Sequence, residues 1–507
     1  MKDETQDATA AFLADPAAHG GAPVQRIDTH GAIVFLAGDR AYKLKRAVRF
    51  DYMDFSTVER RRAMCEAELR INRRTAPDLY LAVVPITDGA QGLALDGRGP
   101  VRDWVVVMRR FDDTLLFDRM AQEGRLTAGM MREVAAEILR FHAGAAVHRR
   151  SDPVGHMRGL VAMAVSELRR YVPAVFPPAK VGALAAELQD RLQRAAPLVV
   201  ARSDAGHVRR LHGDLHLRNI CQHDGRATLF DAIEFNDDIA IGDRLYDVAF
   251  MLMDLVHRQL TPLANVLLNA WLSEPDDDAG LQLLPLFMAL RAAIRAHVGA
   301  TAAEAAATDA RHVQEAEAGL YLDLALRLAA PVSPRLLAIG GYSGTGKSTV
   351  ARGLAPAVGP APGAVVLRSD EIRKALFGVP ATERLPPEAY ASEVSQRVYE
   401  TLYRRAATLL HAGQAVIADA LFSRPADRLA VETIARQGGV PFRGLWLTAP
   451  YEVLAARVAV RRNDASDATV EVLKRQMETP PGPISWYTLD ASRRPDDVLK
   501  SALAESS

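Results

Sequence analysis

At 507 residues the chain exceeds one ordinary hydrophobic core, so two or more domains are expected. Lys plus Arg and Asp plus Glu both total 62, hydrophobic residues make up 49% and charged residues 24%, which excludes a disordered chain and a nucleic-acid binder working through bulk positive charge. The two cysteines, Cys65 and Cys221, exclude a disulfide framework and a Cys-rich zinc module. No long uninterrupted apolar run occurs and the acidic start MKDETQDATA lacks a signal-peptide n-region, so a cytoplasmic protein without a membrane partner is expected.

In chain order, residues 32–37 (AIVFLA), the turn Gly38-Asp39-Arg40 and residues 41–46 (AYKLKR) predict a hairpin. Ser56-Thr57-Val58-Glu59 has capping-box spacing and starts a helix running toward Thr75. Residues 81–86 and 104–108 are strand candidates, and 131–147 and 181–195 are amphipathic helices. Short strands around a loop are predicted over 210–235, and an alanine-rich helical region over 243–328. Ala329-Ala330-Pro331-Val332-Ser333-Pro334 breaks the last helix. Beyond it, strands at 335–339, 364–368, 415–418 and 444–447 alternate with helices, which implies a parallel α/β sheet. The expected division is therefore 1–330, a linker at 331–334, and 335–507.

Gly341-Tyr342-Ser343-Gly344-Thr345-Gly346-Lys347-Ser348 fits G-x-x-x-x-G-K-[ST]. Its glycines let backbone N–H groups curl around phosphates, Lys347 reaches the β/γ-phosphates, and the Ser348 hydroxyl suits Mg²⁺. Gly341, Ser343, Gly344, Thr345, Gly346, Lys347, Ser348 and Thr349 are thus the expected nucleotide cradle. Lysine is scarce in this arginine-rich chain, so a lysine kept here is consistent with a need for a compact point charge. Asp370 ends a strand at the carboxyl edge of the sheet, where it can accept the proton of an acceptor hydroxyl or serve as a helix cap. Asp419 ends the apolar run 415–418 and suits a Mg²⁺ site, or a strand-ending turn. Arg457 and Arg461, predicted on one helical face with Arg462 beside them, are candidates to clamp a transferring phosphoryl group or to form a solvated face.

Through these motifs, with S-D-E-I-R, A-D-A and R-R-N-D-A-S-D-A, residues 333–507 resemble the small P-loop kinases of the AAA-type group that includes zeta-toxin-like and chloramphenicol-phosphotransferase-like enzymes. The resemblance implies phosphoryl transfer from ATP to a small acceptor, with Asp370 as candidate base. None of these residues specifies the acceptor.

A second signature, His212-Gly213-Asp214-Leu215-His216-Leu217-Arg218-Asn219, has the form H-G-D-x-x-x-x-N, and Leu229-Phe230-Asp231 follows. Phosphoryl transfer needs a carboxylate for the acceptor's proton and oxygen ligands for Mg²⁺; Asp214 suits the first task, Asn219 and Asp231 the second. Such a site also needs a strand lysine paired with a helix glutamate. Lys43 and Lys45 face one side of their strand, and Glu66 and Glu68 lie on the following helix; Lys43 with Glu68 is the preferred pair, with the other combinations left open. Glu234, Asp237 and Asp238 add charge near the expected metal, Asp247 reads as a buried structural carboxylate, and His212 as a brace of the loop.

With A-Y-K-L-K-R and the F-D-A-I-E-F segment through Asp243 and Asp247, residues 20–330 resemble the aminoglycoside-phosphotransferase and protein-kinase-like superfamily, in its choline-kinase-like bacterial branch. The resemblance implies a bilobal α+β fold with ATP in the cleft. The chain departs from it in having no G-x-G-x-x-G loop, so that Asp28-Thr29-His30-Gly31 must cover the phosphates. Helices 243–328 offer no acidic cluster for a polycationic acceptor beyond Asp276 to Asp278.

The tandem arrangement resembles bacterial fusions of these two domain types. The expectation is a cytoplasmic bifunctional kinase with two ATP·Mg²⁺ sites, acting on hydroxyls of small molecules and not on nucleic acid. The alternative is a single active P-loop kinase gated by a nucleotide- or ligand-sensing first half. A toxin-like kinase restrained by its fused neighbour rests on analogy alone.

Overall fold

The computed structural model describes residues 4–50, 53–272, 277–304, 306–462 and 464–506. Its contacts divide the chain into two compact units, Met1–His156 with Pro197–Asp254, and Met157–Ala196 with Leu255–Ser507.

In the first unit, β1 (Val24–Asp28), β2 (Ala32–Ala37), β3 (Arg40–Lys45), a short ladder of β4 (Arg49–Phe50) with β5 (Met53–Asp54), β6 (Tyr80–Gly89), β7 (Gly92–Leu95) and β8 (Val101–Arg109) follow in sequence. Six of these strands form an antiparallel sheet in the order β1-β2-β3-β8-β6-β7. Strand alternation sorts the sheet's side chains onto two faces. Phe35, Leu44 and Val105 pack on one face with Ala10 and Leu13 of α1 (Glu4–Ala14). Ala41, Val106 and Met108 pack on the other with Cys65 of α2 (Val58–Asn72). Lys43 and Lys45 have the parity of Ala41, so β3 turns both toward α2. Thr57 caps α2 through its side chain, accepting from Arg60 N, while the neighbouring Ser56 hydroxyl bonds Asp54.

The same unit carries β9 (Val208–Arg210), β10 (Ile220–His223), β11 (Arg226–Leu229) and β12 (Ile241–Asp243). β9 pairs with β12, β10 with β11, and the loop 211–219 is held between these two small ladders.

The second unit contains a five-stranded, wholly parallel sheet of β13 (Leu336–Gly340), β14 (Val365–Arg368), β15 (Val416–Asp419), β16 (Phe442–Thr448) and β17 (Tyr487–Asp490), in the order β14-β15-β13-β16-β17. The four interior-looking runs match the expected strands. β17 was not expected, because as an edge strand it buries only Leu489 and shows no apolar run. Leu337, Ile339, Ile417, Leu445 and Leu447 form the core with helices Lys347–Leu354 and Pro495–Ser506.

Helices on the amino side of the 329–334 break pack in this same unit. Asn269 of the helix Thr261–Trp271 accepts from Val366 N at 2.8 Å, and Asn265 and Asn269 donate to Ala364 O at 3.0 and 3.2 Å, so two amides cover the open edge of β14. Asp278 takes Arg405 in a bidentate pair at 2.7 and 2.8 Å. That carboxylate is therefore neutralised; Asp276 of the 276–278 run lies outside the described residues. The stretch Ala279–Glu304 is long and apolar enough to cross a membrane by length and composition, but 67% of its apolar window is buried inside the protein.

Candidate active sites

The loop after β9 is built around one carboxylate. Asp247, fully buried, accepts from His212 N at 2.8 Å, from Gly213 N at 2.9 Å and from His142 Nε2 at 3.0 Å. His212 in turn bonds the Phe230 carbonyl at 2.9 Å, tying the loop to the strand that precedes Asp231. Asp247 is thus structural and His212 a brace, as their sequence context indicated. Gly213 has φ 84°, and a Cβ there would come within 3.1 Å of Ile233, so only glycine makes this turn without strain.

With the loop held, Asp214 points outward with 42% of its side chain exposed, and Asn219 Nδ2 donates to its Oδ2 at 2.9 Å. His216 Nε2 lies 3.3 Å from the same oxygen. Asp231 has φ 62°, a left-handed conformation rare for a residue with a side chain, and its N–H donates to the buried Tyr80 hydroxyl at 3.1 Å. Its side chain stays 43% exposed.

Both lysines of β3 hold Glu68, one carboxylate oxygen each: Lys43 at 2.8 Å and Lys45 at 2.6 Å. Lys43 also reaches Asp231 at 2.5 Å, whereas Lys45, fully buried, pairs with Glu234. Glu68 is therefore the helix partner; Glu66 is exposed and pairs with Arg62 one turn away. Burial opposes the charge of Lys43, but Asp231 and Glu68 outweigh it and raise its pKa well above the ordinary value. Glu68 is likewise penalised by burial, yet the two ammonium groups hold its carboxyl below the usual range. Glu234 does not add charge at an open metal site as the sequence suggested; it is the internal counter-ion of Lys45. Asp237 pairs with Arg210 and Asp238 with Arg150, so neither joins the cluster.

The stretch 28–31, expected to cover the phosphates, forms the tight turn between β1 and β2. Thr29 N and Oγ1 donate to Ala32 O at 2.9 Å each, and Ala32 N donates back to Thr29 Oγ1 at 3.0 Å. Lys43 and Lys45 should separate by function. Lys43→Met is expected to lower phosphotransfer by this site about 10²-fold, through loss of a charge at the reacting phosphates. Lys45→Met instead lowers the unfolding temperature, since it strips buried Glu234 of its partner. Paired activity and thermal-melt measurements check both.

In the second unit, β13 runs into the loop 341–346 and the helix Lys347–Leu354. Gly341 and Gly344 have φ 141° and 88°, and a Cβ at either would meet the Leu447 or Leu454 carbonyl at 2.5 or 2.8 Å. The loop thereby opens onto a cavity of about 620 Å³ lined by Ser343, Gly344, Gly346, Lys347, Ser348 and Thr349, with Asp370, Asp419 and Arg461 facing them. Gly341 and Thr345 shape the loop without lining the cavity; Thr345 Oγ1 donates to Tyr342 O at 2.8 Å.

The electrostatics of this cradle suit a phosphate. Ser343 N donates to the Gln476 side-chain oxygen at 3.0 Å, an acceptor standing where a phosphate oxygen would be received. Lys347 Nζ donates to Tyr342 O at 3.2 Å. Desolvation lowers the Lys347 pKa, with Asp419 and Asp370 opposing. Ser348 Oγ donates to Asp419 Oδ2 at 2.6 Å, the hydroxyl–carboxylate pair that would hold Mg²⁺. Among the described residues no cluster of three His, Cys, Asp or Glu side chains forms a cation cage. Burial and the charge of Asp419 raise the Asp370 pKa, while Lys347 and Arg368 pull it down.

Two placements depart from the expected pattern. Helix Tyr451–Val460 ends before Arg461, which is extended at φ −63°, ψ 133°. The spacing that put Arg457 and Arg461 on one face no longer applies: Arg461 lines the cavity, while Arg457 donates to Ala491 O at 2.8 Å. Asn463 lies outside the described residues. Arg368, not singled out from sequence, is 4% exposed and meets Glu371 at 2.6 Å, Asp464 at 3.1 Å and Asp419 at 3.4 Å. An arginine ending an otherwise apolar strand was the available signal.

A lysine–glutamate–aspartate cluster in one unit and a P-loop in the other mark a protein of the phosphotransferase class built from two kinase-like domains. Residues 39–284 match the model of the phosphotransferase enzyme family, and residues 336–482 that of an AAA domain. The chain belongs to the same family as Rv2004c of Mycobacterium tuberculosis (strain ATCC 25618 / H37Rv), described as an uncharacterized protein, with 32% identity over 458 residues and 88% of each chain covered. An aminoglycoside-phosphotransferase-like domain is thus followed by a P-loop kinase-like domain. Among solved structures, the choline/ethanolamine kinase family protein from Mesorhizobium loti is 15% identical, with a TM-score of 0.37, over 64% of this chain and 99% of that one. A gluconokinase from Sinorhizobium meliloti 1021 is 20% identical, with a TM-score of 0.26, over 34% of this chain and 92% of that one.

Proposed function

We propose that the protein is a bifunctional, cytoplasmic, ATP-dependent phosphotransferase. In this reading each of its two nucleotide·Mg²⁺ sites transfers the γ-phosphoryl group to a hydroxyl of a small molecule. The observation that carries it is the complete charge cluster of the first unit. Lys43 is held between Glu68 and Asp231 although no glycine-rich loop is present.

In the first site Asp214 receives the acceptor's proton, kept in place by Asn219. Asn219 and Asp231 would hold the metal, and Lys43 would meet the phosphates under the orientation imposed by Glu68. In the second site Asp370 receives the proton, Ser348 and Asp419 would hold the metal, and Lys347 with Arg461 would face the transferring group. Bound Mg²⁺·ATP supplies the phosphoryl group and neutralises the charge on its oxygens. The chain contributes position and electrostatics, which is where this reaction gains most of its rate.

The test is turnover of Mg²⁺·ATP by wild type, Asp214→Ala and Lys347→Ala against a protein-free metabolite extract, with phosphorylated products followed by mass. Each substitution is expected to remove a different product. If Asp214→Ala changes nothing while Lys347→Ala abolishes every product, the first unit is a sensing module and the bifunctional reading fails.

A further inference from the structure

The cavity of the P-loop unit extends past the phosphate loop to Arg373, Tyr390, Ser395, Tyr399, Arg424 and Asp427. Several cations in and around this end are neutralised. Arg424 is bidentate on Asp427 at 2.8 and 2.9 Å, Lys374 pairs with Asp467 at 2.6 Å, and Arg368 faces three carboxylates. Arg373 is buried and has no such partner among the described residues. Only 8% of the residue is exposed, yet among the described residues no carboxylate lies within ion-pair distance of it. Its guanidinium donates to Ala389 O at 2.6 Å and Ser395 Oγ at 3.3 Å and lies over the Tyr390 ring at 4.9 Å, while its Nε–H has no acceptor.

An arginine cannot shed its proton to relieve this. Burying a guanidinium without a counter-ion is costly relative to a paired one, and an anion entering the cavity offsets that cost. The nucleotide's phosphates already have a cradle in the loop 343–348, to which Arg373 does not belong. Arg373 instead follows Asp370 by one turn on the helix Ser369–Leu376, on the same face, about 5 Å further along the axis.

We infer that the acceptor of the P-loop site is a small hydroxyl compound bearing an anionic group, a carboxylate or a phosphate ester, which Arg373 holds while the hydroxyl meets Asp370. The inference rests on the proposed kinase function of this unit. The hydroxyl gives its proton to Asp370 as its oxygen bonds the γ-phosphorus, and the bond from that phosphorus to the ADP oxygen breaks.

The test uses full-length protein and a protein-free metabolite extract separated at neutral pH into fractions retained and not retained by an anion exchanger. Products that depend on Lys347 are expected from the retained fraction, whose carboxylates and phosphate esters are then told apart by phosphatase treatment. Arg373→Gln is expected to raise the KM for that acceptor at least about tenfold with the KM for ATP unchanged, and Arg373→Lys to recover part of the loss. Lys347-dependent products arising from the unretained fraction, or an unaltered acceptor KM in Arg373→Gln, overturn the inference and leave the kinase function standing. No Lys347-dependent product from either fraction removes the kinase function of this unit, and the inference with it.

Discussion

Asp370→Asn is expected to lower phosphotransfer by the P-loop site about 10²–10⁴-fold, the usual worth of a positioned general base, while the KM for ATP stays within about threefold. The asparagine keeps the shape of the side chain and removes only its basicity. Nucleotide binding depends on the loop 341–348 and Lys347, which the substitution does not touch. The wild-type pH profile carries a second signature. Burial first, and then the charge of Asp419, raise the Asp370 pKa above the ordinary 3.8. A base works ionised, so kcat/KM for the acceptor, which reports the free enzyme, is held above the raised value and falls as pH drops through it, at a higher pH than for a solvated aspartate. Steady-state kinetics across the acid range check this. A profile that falls only near the ordinary carboxylate value, or an Asp370→Asn enzyme of near-normal kcat, removes Asp370 from the base role.

Glu68→Gln is expected to destabilise the first unit by about 3–5 kcal/mol, the cost of breaking a buried ion pair from one side, and to abolish the activity that depends on Asp214. Glu68 is fully buried and bonds both lysines of β3, so the neutral amide leaves two ammonium groups with one carboxylate each and turns an amide N–H toward one of them. Loss of activity follows from geometry, since Lys43 would then be drawn to Asp231 alone. The pH dependence has a definite sign. The Glu68 carboxyl is held below its ordinary 4.5, so its stabilisation is complete above that value and is lost as pH falls through the depressed one. Calorimetric unfolding of wild type and variant should therefore differ most near neutrality and converge in acid. Equal unfolding temperatures at neutral pH would show that Glu68 carries no such load.

How much of this was legible in advance depended on how local each feature is. The phosphate loop needed no fold to be read, because glycines, one lysine and one serine make it through their own backbone torsions and hydrogen bonds. The H-G-D-x-x-x-x-N loop was legible for the same reason: Asp214 and Asn219 meet across one short turn. The alternation of strand and helix after residue 335 sufficed for a parallel sheet, since βαβ connection leaves little other choice.

Sequence alone determined the two phosphate-handling motifs, the two domain types and the side of β3 on which both lysines lie. Only the tertiary structure decided what each lysine does. Two residues of equal parity on one strand are equivalent until α2, the Asp231 turn and Glu234 are packed against them, and it is this packing that leaves Lys43 at the open edge and seals Lys45 inside. The same holds for Arg457 and Arg461, whose shared face vanished when the helix stopped between them. It holds too for Arg373, whose charge is ordinary until the fold buries it while Asp427 and Asp467 pair with other cations. Chain-local torsions and periodicity are written in short windows of residues. The pairing of buried charges is a long-range sum, and it acquires a sign only once the distant segments have met.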